Sequence, residues 1–145
     1  MKDFKGYKRI IAPVDGSESA TKAVKKAIIF SKQFNLSLLS LYVLEESPVP
    51  KIMASVNQYE TLKEELEIEG QKILNDVEEL GKNQGIDVYT VLLRGSPDEK
   101  IINEAEENDL IIMGRHGRSA VDRVLIGSVS EKVLHHADSD VLIVK

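Results

Sequence analysis

Residues 109–128 read DLIIMGRHGRSAVDRVLIGS, an apolar run that breaks at Gly114 into a glycine-rich, basic loop. So dense a block of Leu and Ile predicts a strand buried on both faces. Where it stops, Gly114 and Gly117 stand two residues apart, and Gly127-Ser128 follow after nine more. Glycine lacks Cβ, so its backbone can adopt positive φ or approach another molecule closely. The loop carries Arg115, Arg118 and Arg123 against Asp122, a local surplus of two positive charges beside His116. On a chain of net charge -5, such a patch suits a small anion better than a polyanion.

The same strand-then-helix alternation extends outward in both directions. RIIAPV (Arg9–Val14) predicts a buried strand, and the segment from Asp15 to Phe34 places Ala20, Ala23, Val24, Ala27, Ile28 and Phe34 at helical spacing before a stop at Asn35. LSLLSLYVL (Leu36–Leu44) predicts a second strand. From Tyr59 the residues Leu62, Leu66, Ile73, Val77 and Leu80 form one helical stripe that fades near Gly85, as for a helix lying on a sheet. IDVYTVLLR (Ile86–Arg94) is the third strand. Ser96, Pro97 and Glu99 mark the start of the next helix as N-cap, first residue and capping box. LIIM and VLIV supply strands four and five, with the basic loop and a short helix between them. The segment Glu45–Asn57, with Pro48 and Pro50, predicts an irregular loop whose Val49, Ile52 and Met53 serve a lid, an interface or simple packing.

Strands alternating with helices predict a single α/β domain over residues 1–145, doubly wound, with a five-stranded parallel sheet and helices on both faces. With 145 residues, 42% hydrophobic and 30% charged, the chain has the composition of a globular protein with a substantial core. There are no cysteines, so disulfides and thiolate metal sites are excluded. The opening MKDFKGYKR has no apolar signal core, and no run is long enough to cross a bilayer. These features predict a cytoplasmic protein with no nucleic-acid or membrane partner.

Ligands of open parallel sheets bind beyond the carboxyl ends of the strands, where strand order reverses. With five strands, that crevice falls between strands one and four, whose exit loops hold the glycines. GSVSEK reads as a helix N-terminus with Ser128 as N-cap and Glu131 closing a box; its free N–H groups form a seat for phosphate or are satisfied by the box itself. Ser128 and Ser130 offer hydroxyl donors there. Asp15, at the mouth of strand one, reads either as a ribose acceptor or as the cap of the first helix. Val43 flanks a flat base or belongs to the core. His116 is a phosphate-side contact or a solvated loop residue, and His135 and His136 read as favourable charge at a helix C-terminus. No P-loop, GxGxxG or GxSxG motif occurs, and no acid/base set converges.

Gly114-x2-Gly117-x9-Gly127-Ser128, taken with PVDGS at the end of strand one, resembles the ATP-binding branch of the universal stress protein family over nearly the whole chain. The resemblance implies strand order 3-2-1-4-5 and ATP, or ADP or AMP, at the carboxyl edge. Pro13, Val14, Asp15 and Val43 would border adenine and ribose. Met113, Gly114 and Gly117 would shape the ribose and phosphate turn, with His116 counted among the binding residues, and Gly127, Ser128, Val129 and Ser130 would hold phosphates. It further implies Mg or Mn carried on those phosphates, with no metal ligands from the protein, and a homodimer through Val141–Val144. Pairing that apolar edge would also remove its exposed N–H and C=O groups. The expected role is a nucleotide-dependent stress or signalling switch acting on unknown protein partners. Weak or partner-dependent ATP hydrolysis and a nucleotide-free structural dimer are the alternatives.

Overall fold

The computed structural model describes residues 6–46, 56–117 and 126–145. Its elements run β1 (Arg9–Val14), α1 (Glu18–Phe34), β2 (Ser37–Glu45), α2 (Val56–Asn83), β3 (Val88–Gly95), α3 (Pro97–Glu104), β4 (Asp109–Gly114), α4 (Ser128–His136) and β5 (Asp140–Val144). The strands form one sheet of order β3-β2-β1-β4-β5, all neighbours parallel. Fold class and strand order agree with the expectation.

Alternation along the strands divides the core into two layers. Ile10, Ala12, Val14, Tyr42 and Leu44 pack under Ala23, Val24, Ala27 and Ile28 of α1 and Leu74 and Val77 of α2. Ile11, Leu41, Ile111 and Met113 face the opposite way, against Ile101 of α3 and Val133 of α4. Ile10, Ile11, Leu38, Leu41, Ile111 and Ile112 are fully buried, and each such side chain contributes about 1.5–3 kcal/mol. Small residues let the helices lie close: a Cβ on Gly70 of α2 would meet the Tyr42 ring at 2.6 Å. Asn35 ends α1 in the left-handed region at φ 53°, as a stop residue should.

The amino edge of the sheet is pinned electrostatically. Asp109, only 2% exposed, accepts from Arg9 Nη2 at 2.7 Å, and the backbone N–H of Glu106 donates to the same carboxylate at 2.8 Å. This clamp joins β1 to β4 at the end opposite the glycine loop.

Several boundaries differ from the sequence reading. Glu45 closes β2, while Val56 and Asn57 already belong to α2, so the irregular segment is shorter than expected. Helix α2 begins before the first apolar stripe residue because polar residues continue a helix that the core supports further on. Pro48, Val49, Pro50, Ile52 and Met53 lie outside the described residues, as do Arg118, Asp122 and Arg123. Among the described residues, no helix is long and apolar enough to cross a membrane.

Candidate functional site

The sheet opens where β1 and β4 part. Their ladder is registered only over Arg9–Ile11 with Asp109–Ile111, although the strands run on to Val14 and Gly114. Pro13 lies beyond that ladder and has no N–H to donate. A proline in a central strand is out of place unless the strand is locally an edge, and here the parting makes it one. Beta-two in turn outruns β1: the last β1–β2 pair is Val14 with Tyr42, whereas β2 continues along β3 to Glu45. Beyond Tyr42, β2 therefore has no strand neighbour on its β1 side.

A cavity of about 580 Å³ occupies this opening. The twelve residues picked from the sequence all line it: Pro13, Val14 and Asp15 from β1 and its exit, Val43 from β2, and Met113 and Gly114 from β4. His116 and Gly117 follow from the turn after β4, and Gly127, Ser128, Val129 and Ser130 from the start of α4. The remaining wall comes from residues not picked. Ala20, Leu41, Tyr42, Leu44 and Glu45 are one or two positions from the chosen ones or a turn into α1, while Leu66, Pro97 and Ile101 come from α2 and α3. The start of α3 follows a carboxyl end too, so the same edge rule applied to β3 would have found Pro97. Nothing local marks Leu66, which reaches the cavity because α2 crosses the sheet.

Each rim segment is held by local hydrogen bonds. Gly16 turns the chain out of β1 at φ 85°, a conformation that favours glycine. Asp15 Oδ1 accepts from Ser17 N–H at 2.9 Å, and Ser17 Oγ caps α1 by accepting from Ala20 N–H at 3.1 Å. The helix cap is thus Ser17, not Asp15. At the other segment Arg115 N–H donates to Val144 O at 3.2 Å, and Gly127 N–H donates to Arg115 O at 2.8 Å. The N-cap of α4 is Gly127 rather than Ser128, and no side chain caps it, so the alternative in which a Ser128–Glu131 box satisfies the first turn does not hold. Ser130 Oγ, expected to face phosphate, donates to Gly114 O at 2.8 Å. Ser96 is the N-cap of α3 but its hydroxyl donates to Asp98 Oδ1 at 2.6 Å instead of forming a box with Glu99.

The motif glycines serve close approach and not unusual dihedrals. Positive φ among the described glycines is confined to Gly16, Gly85 and Gly95. A Cβ on Gly114 would meet the Ser19 backbone C at 2.7 Å and O at 2.8 Å. On Gly117 it would meet Asp15 Oδ2 at 2.8 Å, and on Gly127 the Cα of His116 at 3.0 Å. Gly114 and Gly117 let the end of β4 and its exit lie against Ser19 and Asp15 on the β1 side, while Gly127 lets the β4–α4 segment close on itself at His116.

A charged pair links the start of α3 to α4. The Ser96 hydroxyl holds the Asp98 carboxyl below its ordinary 3.8, with Lys132 adding a smaller pull across 4.0 Å from α4. Arg115 is not among the lining residues, and its Nε is buried without a partner among the described residues. No group of three or more His, Asp or Glu placed to hold a metal ion occurs among the described residues.

A family model described as the universal stress protein family matches residues 6–145. Universal stress protein MJ0531 of Methanocaldococcus jannaschii is 37% identical over 141 residues, covering 96% of this chain and 82% of that one. The solved structure of MJ0577 from the same organism is 32% identical, covers 97% of this chain and 96% of its own, and superposes with a TM-score of 0.81. A universal stress protein of Archaeoglobus fulgidus, solved in complex with dAMP, is 18% identical, covers 97% of this chain and 99% of that one, and has a TM-score of 0.68.

Proposed function

This chain belongs to the universal stress protein family, and we propose that it binds ATP, or a shorter adenine nucleotide, in the cavity between β1 and β4. One observation carries the reading: two loops distant in sequence close around a single cavity onto which an uncapped helix N-terminus opens. Free N–H groups in the first turn of α4, with the positive end of its dipole, favour phosphate. The volume lies within the roughly 300–1,000 Å³ usual for small-molecule sites.

The remaining wall suits a nucleoside. Where β2 outruns β1, the backbone groups on its β1 side have no strand to pair with. A donor and an acceptor together match the edge of adenine, with Val43, Met113 and Ile101 as apolar walls. Asp15 is placed for a ribose hydroxyl, and Ser128 with the backbone of Val129 and Ser130 for the phosphates. A divalent cation is read as arriving on the phosphates. The bound nucleotide of the A. fulgidus relative, dAMP, is of the same chemical class.

We read the protein as a nucleotide-responsive stress or signalling switch in the cytoplasm, paired with a second copy through the β5 edge, Val141–Val144. Weak hydrolysis is the second reading, favoured by Asp15 and His116 lining one cavity. Thermal denaturation tests the primary reading. Nucleotide at 100 times its dissociation constant should add about 2.7 kcal/mol, which is roughly 9 °C for a chain of this size. Melting that does not shift with ATP, ADP or AMP would refute it. Turnover by the purified protein with Mg²⁺, abolished by Asp15→Ala, would establish hydrolysis instead, and sedimentation equilibrium tests the dimer.

A further inference from the structure

We propose that the two serines at the start of α4 divide their work: Ser128 gives its hydroxyl to phosphate, whereas Ser130 is a positioning residue that never does. The chemistry of a hydroxyl forces the distinction. A serine has one O–H to donate, and an anion needs donors. The Ser130 proton is directed at Gly114 O, 2.8 Å away, and the side chain is only 4% exposed. Turning it toward a phosphate would leave the Gly114 carbonyl without that bond in a buried setting, which is costly. Ser128 is exposed, lines the cavity and makes no capping bond.

The bond that Ser130 makes is well placed to set the width of the site. Gly114 ends β4 and Ser130 lies in the first turn of α4, sixteen residues on. Gly127 N–H to Arg115 O, 2.8 Å long, is a second tie, between the residues that flank the same two elements. On the far side of the turn, Ser19 Oγ accepts from His116 N–H at 3.4 Å. The end of β4 is thereby held between α1 and α4, and both loops that line the cavity take their position from it. Loss of the Ser130 bond should loosen the whole cavity, while loss of the Ser128 hydroxyl should affect only its phosphate end.

The role of Ser128 rests on the nucleotide reading; the tie made by Ser130 does not. The test measures ATP and adenosine affinity by titration calorimetry, and melting of the ligand-free protein, for the parent, Ser128→Ala and Ser130→Ala. Ser128→Ala should weaken ATP about tenfold, as for a hydrogen bond to a charged group. It should leave adenosine within about twofold and melting within about 1 °C. Ser130→Ala should weaken ATP and adenosine by the same factor, to within about twofold, and lower melting by about 3 °C or more. A selective loss of ATP in Ser130→Ala, or unchanged melting, overturns the proposal. If the parent binds neither ligand, the nucleotide reading fails, and melting of the free protein alone then decides whether Ser130 is a tie. Should Ser130→Ala not fold, Ser130→Cys, nearly isosteric with a weaker donor, supplies the same ratio.

Discussion

Replacing Gly114 with alanine puts one methyl group at the most crowded point of the site. The new Cβ would stand 2.7 Å from the backbone C of Ser19 and 2.8 Å from its O, where unstrained carbon contacts are about 3.5–4.0 Å. Gly114 is buried and its neighbour is main chain in the first turn of α1, so the strain cannot be relieved by turning a side chain. Either α1 lifts from β4 by something near 0.7 Å or β4 loses its register with β5. Overpacking of this kind costs about 1–3 kcal/mol, and the backbone neighbour favours the upper half. An unfolding entropy of about 2.1 cal/mol/K per residue over 145 residues converts 2–3 kcal/mol into roughly 7–10 °C of melting temperature. Because Asp15 and Ala20 move with α1, nucleotide affinity should fall about tenfold alongside. Differential scanning calorimetry and titration calorimetry read the two effects. Adding Ser19→Ala should not restore the loss, since the main-chain contacts remain. A melting change below about 2 °C, or full rescue by Ser19→Ala, would refute the close-approach account of this glycine.

Gly127→Ala should be milder, about 1 kcal/mol or roughly 3 °C: its φ of -76° suits alanine, and the Cβ meets His116 Cα at 3.0 Å. Urea denaturation should show that loss, together with weaker nucleotide binding as the turn is pushed back. Arg9→Met strands the Asp109 carboxylate, which is only 2% exposed. It should cost about 3 kcal/mol in chemical denaturation, the low end because Arg9 itself is partly reached by water. Tyr7 donates to Asp140 Oδ2 at 2.7 Å, and that hydrogen bond, then burial, then the charge of Asp140 raise its pKa above the ordinary 10.0. The neutral phenol is therefore favoured by folding, so the stabilisation is complete below pH 10 and is lost as pH climbs through the raised value. Tyr7→Phe should remove this alkaline loss from a stability–pH profile, and an unchanged profile would exclude the mechanism.

The sequence by itself determined the succession of strands and helices, the parallel sheet and the region of the site. Those features follow from local regularities: dense β-branched runs at Arg9–Val14 and Asp109–Met113, and helical spacing in Ala20–Ile28. It also marked the residues of the two loops, because Gly114, Gly117 and Gly127 depart from the pattern on either side. What it left open was which partner each polar group takes. Ser128 fits the template of an N-cap as well as Gly127 does, and Ser96 and Glu99 spell a capping box that the structure does not make. A hydroxyl chooses among acceptors that lie close in space, and Gly114 O reaches Ser130 only after the sheet has formed. The parting of β1 from β4, the overhang of β2 and the arrival of Leu66 from α2 are likewise consequences of packing. Of the two reasons the sequence offered for these glycines, positive φ and close approach, the structure shows close approach, and to the protein's own chain, since only the folded chain shows what a missing Cβ would have touched.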